Sequence, residues 1–338
     1  MLDAGEDARR AALADFLATS GWRGVRPRVL AADASFRRYY RLVDGARRVV
    51  LMDAPPPHED VAPYLTVAGL LRGLGLSAPR IYAQDRARGF LLIEDFGDDV
   101  YTRLLADGGD ETALYSLAIE TLIALHRAVA ESGPPNLPTY DSERLVGEAA
   151  LLVDWYVPSM TGAPLSTEAR QDYLLRWHHV LEDAAEAPPT LVLRDYHVDN
   201  LLLLPERSGV QRCGLLDFQD AVCGAPAYDL VSLLEDARRD VPAALRDAMI
   251  ERYLGAFPAH DRAAFKRGAA VLAAQRNCKI IGIFTRLWRR DGKPGYLRHI
   301  PRVWRLLEDD IRRESALRPI AHWLDRHLPA DLRRAPAA

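Results

Sequence analysis

Between residues 28 and 93 the apolar positions fall into short runs rich in β-branched and aromatic residues. These runs, at 28–31, 39–43, 47–52, 80–83 and 89–93, predict five strands. Asp44-Gly45, between the second and third runs, suits a tight hairpin turn because both residue types tolerate positive φ. An opening helix is predicted over 6–19, and another over 60–73 after the break at Pro55, Pro56 and Pro57. This pattern makes a small α+β lobe with its boundary near residue 95. Past Glu94-Asp95-Phe96-Gly97 the period changes. Leu114, Ala118, Leu122 and Leu125 recur at the three- to four-residue spacing of one buried helix face. Helical patterns then continue to the C-terminus, where 333–338 read as a fraying tail. Residues 190–217, TLVLRDYHVDNLLLLPERSGVQRCGLLD, interrupt them with short strands around a Pro/Ser/Gly turn, after which helices are expected to resume.

That interruption carries the candidate chemistry. The midpoint between Asn200 and Asp217 falls between Ser208 and Gly209, so a hairpin turning there sets the two residues opposite each other. Directly opposed residues hold their Cβ atoms about 4.5–5.5 Å apart, close enough for both side chains to reach one cation at about 2.1 Å. An amide oxygen and a carboxylate are hard donors that suit magnesium, which keeps its other positions for water and phosphate oxygens. Asp195, five residues before Asn200, stands where phosphoryl transfer needs a carboxylate to orient an attacking hydroxyl and accept its proton. Any one of the three reads equally well as a turn-forming or solvated loop residue; their joint spacing favours the chemical reading.

Composition narrows the class. A chain of 338 residues with 49% apolar content can bury a sizeable core as one large domain or two lobes. The balance of 44 basic against 47 acidic residues gives no global drive toward nucleic acid or a membrane surface. Cys213, Cys223 and Cys278 lack metal-ligand spacing and read as reduced thiols. The acidic start MLDAGEDARRAALADF lacks the basic region of a signal peptide, and no run of about 18 uncharged apolar residues appears. A cytoplasmic protein without a membrane span is expected. Only Lys266, Lys279 and Lys293 are lysines.

The segments LRDYHVDN, LLDFQDA and AYDLVSLL resemble the aminoglycoside phosphotransferase-like branch of the protein-kinase-like fold. More narrowly, ADASFRRYYRL, VVLMDAPP, LLIEDFGD and AAQRNCKIIGIFTRLWRRDGKPGY are similar to the bacterial anomeric kinases that phosphorylate N-acetylmuramate and N-acetylglucosamine at C1, over about residues 10–330. The resemblance implies a bilobal α+β fold: a small β-rich nucleotide-binding lobe at 1–95, and a mostly helical lobe at 96–338 with the catalytic loop and sugar site. It implies ATP and Mg2+ as cofactors, Asp195 as the base, Asn200 and Asp217 as metal ligands, and Glu94 and Phe96 in the hinge that receives adenine. The product would be an α-configured sugar 1-phosphate that feeds cell-wall precursor recycling. The sequence departs from the wider fold twice. The 33–38 loop, where a phosphate-binding loop is expected, has no glycine, which leaves the Ser35 and Phe36 backbone and the Arg37 and Arg38 side chains as contacts. Val50-Leu51-Met52-Asp53 lacks the usual lysine, for which an arginine from the 37–48 cluster is a substitute, unless that cluster is a solvated face.

Residues 276–305 carry nine basic residues and one acidic residue, Asp291. Such a segment would repel a polycationic aminoglycoside, whereas an Arg fork suits the lactyl carboxylate of N-acetylmuramate; a solvated helix face is the bland alternative. Arg276, Asn277, Lys279 and Arg286 are therefore acceptor candidates, with His197 and Gln219 nearer the base and the metal pair. His197 either hydrogen-bonds substrate or packs structurally. Trp288, Tyr296 and Trp304 either stack on a sugar or pack in the core, with packing favoured. Arg194 reads as structural, His126 as a core or helix-end residue, and Asp229 as an N-cap or, by the resemblance, a scaffold under the catalytic loop. The expected function is an ATP-dependent anomeric amino-sugar kinase. A kinase for another small alcohol, aminoglycoside-, choline- or homoserine-like, and a silent nucleotide-binding protein remain open.

Overall fold

The computed structural model describes residues 2–32, 36–182 and 188–337, side chains at 2–6 and 31–32 excepted. The chain forms two compact units, one of residues 1–109 and 199–220, the other of 110–198 and 221–338.

In the first unit, α1 (Leu2–Thr19) precedes β1 (Arg28–Ala32), β2 (Arg38–Asp44) and β3 (Arg47–Asp53); α2 (Ala62–Gly73), β4 (Ile81–Asp85), β5 (Phe90–Ile93) and α3 (Tyr101–Ala106) follow. The five strands form one antiparallel sheet in the order β1-β2-β3-β5-β4. Asp44 is the last residue of β2 and pairs with Arg47, so the two-residue turn is Gly45-Ala46, one position beyond the Asp44-Gly45 signal, with Gly45 at a positive φ of 57°. Leu42, Val49, Leu51, Phe90 and Leu92 pack with Phe16, Leu17 and Trp22 in one core cluster, so α1 covers one face of the sheet. Val50, Met52, Leu91 and Ile93 on the alternate positions are also buried. The expected division near residue 95 differs from the observed one, because α3 stays with the sheet and the 199–220 hairpin joins the same unit.

The second unit begins with α4 (Glu111–Ser132) and α5 (Ser142–Leu151). A π turn (Leu152–Tyr156) leads into α6 (Val157–Thr161), then α7 (Thr167–Glu182) and β6 (Thr190–Val192). Asp110 and Asp141 cap α4 and α5 by accepting the Ala113 and Arg144 amides at 2.9 Å. By length and composition α4 is apolar enough to cross a membrane, but Leu114, Ala118, Leu122 and Leu125 are buried in this unit, the face that the spacing predicts. The chain then enters the first unit for β7 (Leu201–Leu203) and β8 (Cys213–Leu215). It re-enters the second as β9 (Val222–Gly224), α8 (Ala227–Leu234), α9 (Ala243–Ala256), α10 (Arg262–Arg289), α11 (Ile300–Arg313) and α12 (Arg318–His327). β9 was not expected; three residues between Ala221 and Ala225 are too short to show a period, and β9 exists by pairing with β6.

Helix α10 is the axis of the second unit, buried over most of its circumference and packed by α5, α8 and α11. At Gly282 it approaches α5 so closely that a Cβ would lie 2.2 Å from the Leu151 carbonyl carbon. The start of the tail expected to fray is tied down: the Tyr156 hydroxyl lies 2.6 Å from the Leu332 and Arg334 carbonyl oxygens, and Arg333 pairs with Glu308 at 3.2 Å.

Candidate active site

The first unit contains a cavity of about 500 Å³. Leu30, Val50 and Ile93 line it from the sheet, Leu202 and Leu216 from the β7–β8 hairpin, residues 94–97 along another side, and Asn200 and Asp217 at one end. Two opposed sets of aliphatic side chains with peptide groups beside them suit a flat heteroaromatic ring, and the polar end suits a charged group attached to it.

The hairpin register departs from the expectation. Leu201 pairs with Leu215, and the Leu216 amide donates to the Asn200 carbonyl at 3.0 Å, so Asn200 faces Leu216 and Asp217 falls one residue beyond. The cause is the 3-10 turn Gly209–Arg212, which makes the connection asymmetric. Asp217 then adopts a left-handed φ of 54°, a conformation Asp tolerates better than most residues. This kink brings the pair together by another route: Asn200 Nδ2 lies 3.5 Å from Asp217 Oδ2. Gln219 Nε2 donates to Asp217 Oδ1 at 2.9 Å, and Arg37 Nη2 lies 3.8 Å from that oxygen. A carboxylate and an adjacent amide that can present its oxygen by a half-turn form a hard donor set that fits magnesium.

The hinge residues are braced. Arg41 Nη2 donates to Asp95 Oδ1 at 3.0 Å and to Asp98 Oδ1 at 2.9 Å, and its Nε forms an ion pair with Asp95 Oδ2 at 2.7 Å; Asp95 Oδ1 also accepts the Gly97 amide at 2.9 Å. The Asp98 hydrogen bonds to Arg41 hold its carboxyl below its usual range. The Glu94 carboxylate is engaged by Arg207 and by the Arg80 amide at 3.1 Å, which leaves the peptide groups of this segment to meet a ligand. Phe96 lies under the Arg207 guanidinium, 5.0 Å from ring centroid to Cζ, and against Gly214, where a Cβ would come within 2.9 Å of the ring.

Ser35 lies outside the described residues. Phe36 is exposed and stacks on His58 at 4.7 Å, with its amide donating to Glu59 at 3.0 Å. Arg38 is exposed at the start of β2. Arg37 Nε lies 3.7 Å from Glu59, so this side chain is held between Glu59 and Asp217.

Asp195 belongs to the second unit, in the loop after β6. Asp229 lies inside α8 rather than at its N-cap, and its two carboxylate oxygens accept the Leu193 amide at 2.6 Å and the Arg194 amide at 2.8 Å. Burial pushes the Asp229 carboxyl up to about 7 against the pull of those two N–H groups. Arg194, directly before Asp195, is left-handed at φ 70°. Its carbonyl accepts the Ser232 hydroxyl at 3.2 Å, and its guanidinium forms an ion pair with Glu148. The Tyr196 hydroxyl donates to the Ala118 carbonyl at 2.8 Å, and buried His197 places Nε2 3.4 Å from Arg238 Nη1. Asp195 thus leaves a loop tied down on both sides.

The acceptor candidates on α10 are engaged by the protein. Arg276 donates to the Glu235 carbonyl at 3.3 Å, and Asn277 bridges Glu235 at 3.2 Å and Asp310 at 3.0 Å. Lys279 pairs with Glu148 at 3.0 Å. Burial raises both the Glu235 and Asp310 carboxyls; the charge of Glu235 adds to the rise at Asp310, whereas the hydrogen bond with Asp310 opposes the rise at Glu235. Arg286 is half-buried, and burial beside Arg290 lowers its affinity for a proton. Elsewhere in the basic segment Arg302 and Arg305 pair with Asp240 at 2.9 and 3.2 Å. Trp304 is a core residue, and Tyr296 packs on Phe284 at 5.4 Å. His126 is core too, bonded through Nδ1 to the Tyr253 hydroxyl at 2.7 Å. All three cysteines are buried free thiols. Glu148 and Arg41, which organise so much of this, gave no sequence signal, because an acidic residue on a helix and an arginine in a strand are ordinary until their partners are known.

A small antiparallel β-lobe that includes the β7–β8 hairpin with Asn200 and Asp217, and a helical lobe that holds Asp195, define the bilobal α+β architecture of kinase-like phosphotransferases. Residues 27–266 match the model of the phosphotransferase enzyme family (APH), and the chain belongs to that family. It is 38% identical to the N-acetylmuramate/N-acetylglucosamine kinase of Caulobacter vibrioides over 96% of this chain and 98% of that protein. It is also 38% identical to the enzyme of the same name from Pseudomonas aeruginosa over 92% of each chain. Among solved structures, ADP-bound aminoglycoside phosphotransferase APH(2'')-Ib superposes with a TM-score of 0.57 at 16% identity, over 86% of this chain and 95% of that one. LicA in complex with AMP superposes with a TM-score of 0.59 at 10% identity, over 89% and 98%. These two likenesses concern the fold.

Proposed function

We propose that the protein is an ATP-dependent kinase that transfers the γ-phosphoryl group to the anomeric hydroxyl of N-acetylmuramate or N-acetylglucosamine. The observation that carries the reading is the near full-length 38% identity to kinases of that name, joined to the Asn200–Asp217 pair at the polar end of an apolar cavity. The cavity takes the adenine between Val50 and Leu216, and the peptide groups of 94–97 meet its edge. Asn200 and Asp217 hold magnesium, which when bound neutralises phosphate charge. Arg37 supplies the positive charge that β3, lacking a lysine, does not: it is the arginine of the 37–48 cluster found against Asp217, whereas Arg41 is spent on Asp95 and Asp98. Asp195 orients the anomeric hydroxyl and takes its proton as the O–P bond forms. The use of ATP and a free amino sugar places the protein in the cytoplasm, in peptidoglycan recycling.

An acceptor panel with coupled ADP detection tests the substrate class. N-acetylmuramate and N-acetylglucosamine are expected to give kcat/KM at least ten times that of choline, homoserine or an aminoglycoside; a preference for any of those three contradicts the reading. Arg37→Met is expected to lower kcat/KM for ATP by roughly 10²–10³, with partial recovery in Arg37→Lys.

A further inference from the structure

Behind Asp195, within the second unit, three charged side chains and two phenols converge. Glu148 of α5 forms the ion pair with Arg194, lies 3.0 Å from Lys279 Nζ, and accepts the Tyr140 hydroxyl. Lys279 of α10 also donates to the Tyr228 hydroxyl at 3.3 Å. The Tyr140 and Tyr228 rings meet edge-on at 4.9 Å, and the Arg194 guanidinium lies 5.3 Å from the Tyr140 ring centroid. The side chains of Arg194, Glu148 and Lys279 are 17%, 15% and 11% exposed, so this is an interior cluster rather than a surface ion pair.

Two features are hard to explain as stability alone. Burying three charges costs desolvation energy that well-packed apolar residues of similar volume would not incur. In addition, Arg194 holds a left-handed φ of 70° that a side chain with a Cβ disfavours, and such a conformation persists only where the surroundings over-determine it. Its amide is held by Asp229, its carbonyl by Ser232, and its guanidinium by Glu148.

We infer that Glu148, Arg194 and Lys279 form a positioning network for the catalytic carboxylate: Glu148 locks the strained residue before Asp195, and Lys279, 3.0 Å from Glu148, holds the Glu148 carboxylate in place. Lys279, on this view, serves the base through Glu148 and Arg194 and does not hold the acceptor. The inference rests on Asp195 being the base.

The test uses the full-length protein with MgATP and N-acetylmuramate, with thermal melting as the check on folding. The groups that face Lys279 are Glu148 of α5, Tyr228 of α8, and Arg194 and Asp195 of the loop. Glu148→Gln is expected to lower kcat about 10- to 100-fold while KM for ATP stays within about threefold, with Glu148→Asp recovering part of the loss. Lys279→Met is expected to lower kcat several-fold with KM for ATP within about threefold, because Glu148 loses the partner that lies 3.0 Å from it. The double variant Glu148→Gln/Lys279→Met is expected to lose less than the product of the singles. A folded Glu148→Gln or a folded Lys279→Met with kcat within twofold of wild type overturns the network. If Glu148→Gln does not fold, Lys279→Met and the milder Tyr140→Phe decide the matter, the latter expected to lower kcat a few-fold and an unchanged value counting against the network. Asp195→Asn separates the two levels: wild-type activity that survives this change removes Asp195 as base, whereas activity lost in Asp195→Asn but kept in every network variant sinks the network alone.

Discussion

A single carboxylate, Asp229, shows how little freedom the catalytic loop retains. Each of its oxygens takes one backbone N–H, so an amide of the same shape offers an acceptor to only one of them and turns a donor toward the other. Asp229→Asn is expected to cost about 1–3 kcal/mol of stability, and to lower kcat as the Leu193–Arg194 backbone relaxes; urea unfolding and steady-state rates measure the two. From spacing alone, the residue-scale reading of the sequence proposed Asp195, Asn200 and Asp217 and expected the last two to lie close, as they do at 3.5 Å. It did not reach the means by which Asn200 and Asp217 approach. The symmetric hairpin drawn from residue numbers is displaced by one position by the Gly209–Arg212 turn, and the left-handed Asp217 restores proximity. Asp217→Ala removes the charged member of the donor set and is expected to abolish detectable transfer, with the melting temperature in metal-free buffer within a few degrees of wild type, since the Asp217 side chain is partly exposed.

Among the elements, the five strands of the first unit were legible because alternation and the Asp44-Gly45 pair are local signals that tertiary packing only reinforced. The buried face of α4 was legible for the same reason. The roles of α10 were not: its sequence reads as a basic helix, yet Arg276, Asn277 and Lys279 are buried against carboxylates and carbonyls supplied by α5, α8 and α11, which no pattern within α10 discloses. The tight crossing at Gly282 gives a direct test of that packing. Gly282→Ala places a methyl group within 2.2 Å of the Leu151 backbone, and unfolding by denaturant is expected to show a loss of about 1–3 kcal/mol, or failure to fold. The α4–α9 contact carries a pH signature. Burial pushes His126 down to about 3, whereas an unfolded histidine takes up its proton near 6.5. The unfolded chain therefore binds the extra proton between these values, so the His126 contribution is fully present above about pH 6.5 and is lost as the pH falls toward 3. His126→Gln is expected to flatten the fall in melting temperature between pH 6.5 and 4, and an unchanged slope would show that His126 is not its source.

For the molecule as a whole, the sequence indicated two lobes but placed the division at the hinge, whereas the chain groups α3 and the β7–β8 hairpin with the sheet. A linear reading assigns contiguous stretches, and a chain that leaves one unit at 198 and re-enters it after 220 defeats that assumption. For the proposed function this means that the cavity, Asn200, Asp217 and Arg37 all belong to one compact unit, while Asp195, Glu148, Arg194 and Lys279 belong to the other. The division of labour predicts that variants of the first unit act on KM for ATP as well as on kcat, whereas variants behind Asp195 act on kcat. The central claim, transfer from ATP to the anomeric hydroxyl, is tested most directly by phosphorus NMR of the protein incubated with MgATP and N-acetylmuramate. The account predicts a new phosphomonoester signal coupled to the sugar H1, with the coupling of an α-configured sugar 1-phosphate, and its absence with Asp195→Asn. Phosphate on any other hydroxyl, or wild-type protein that leaves the sugar unmodified, would contradict it.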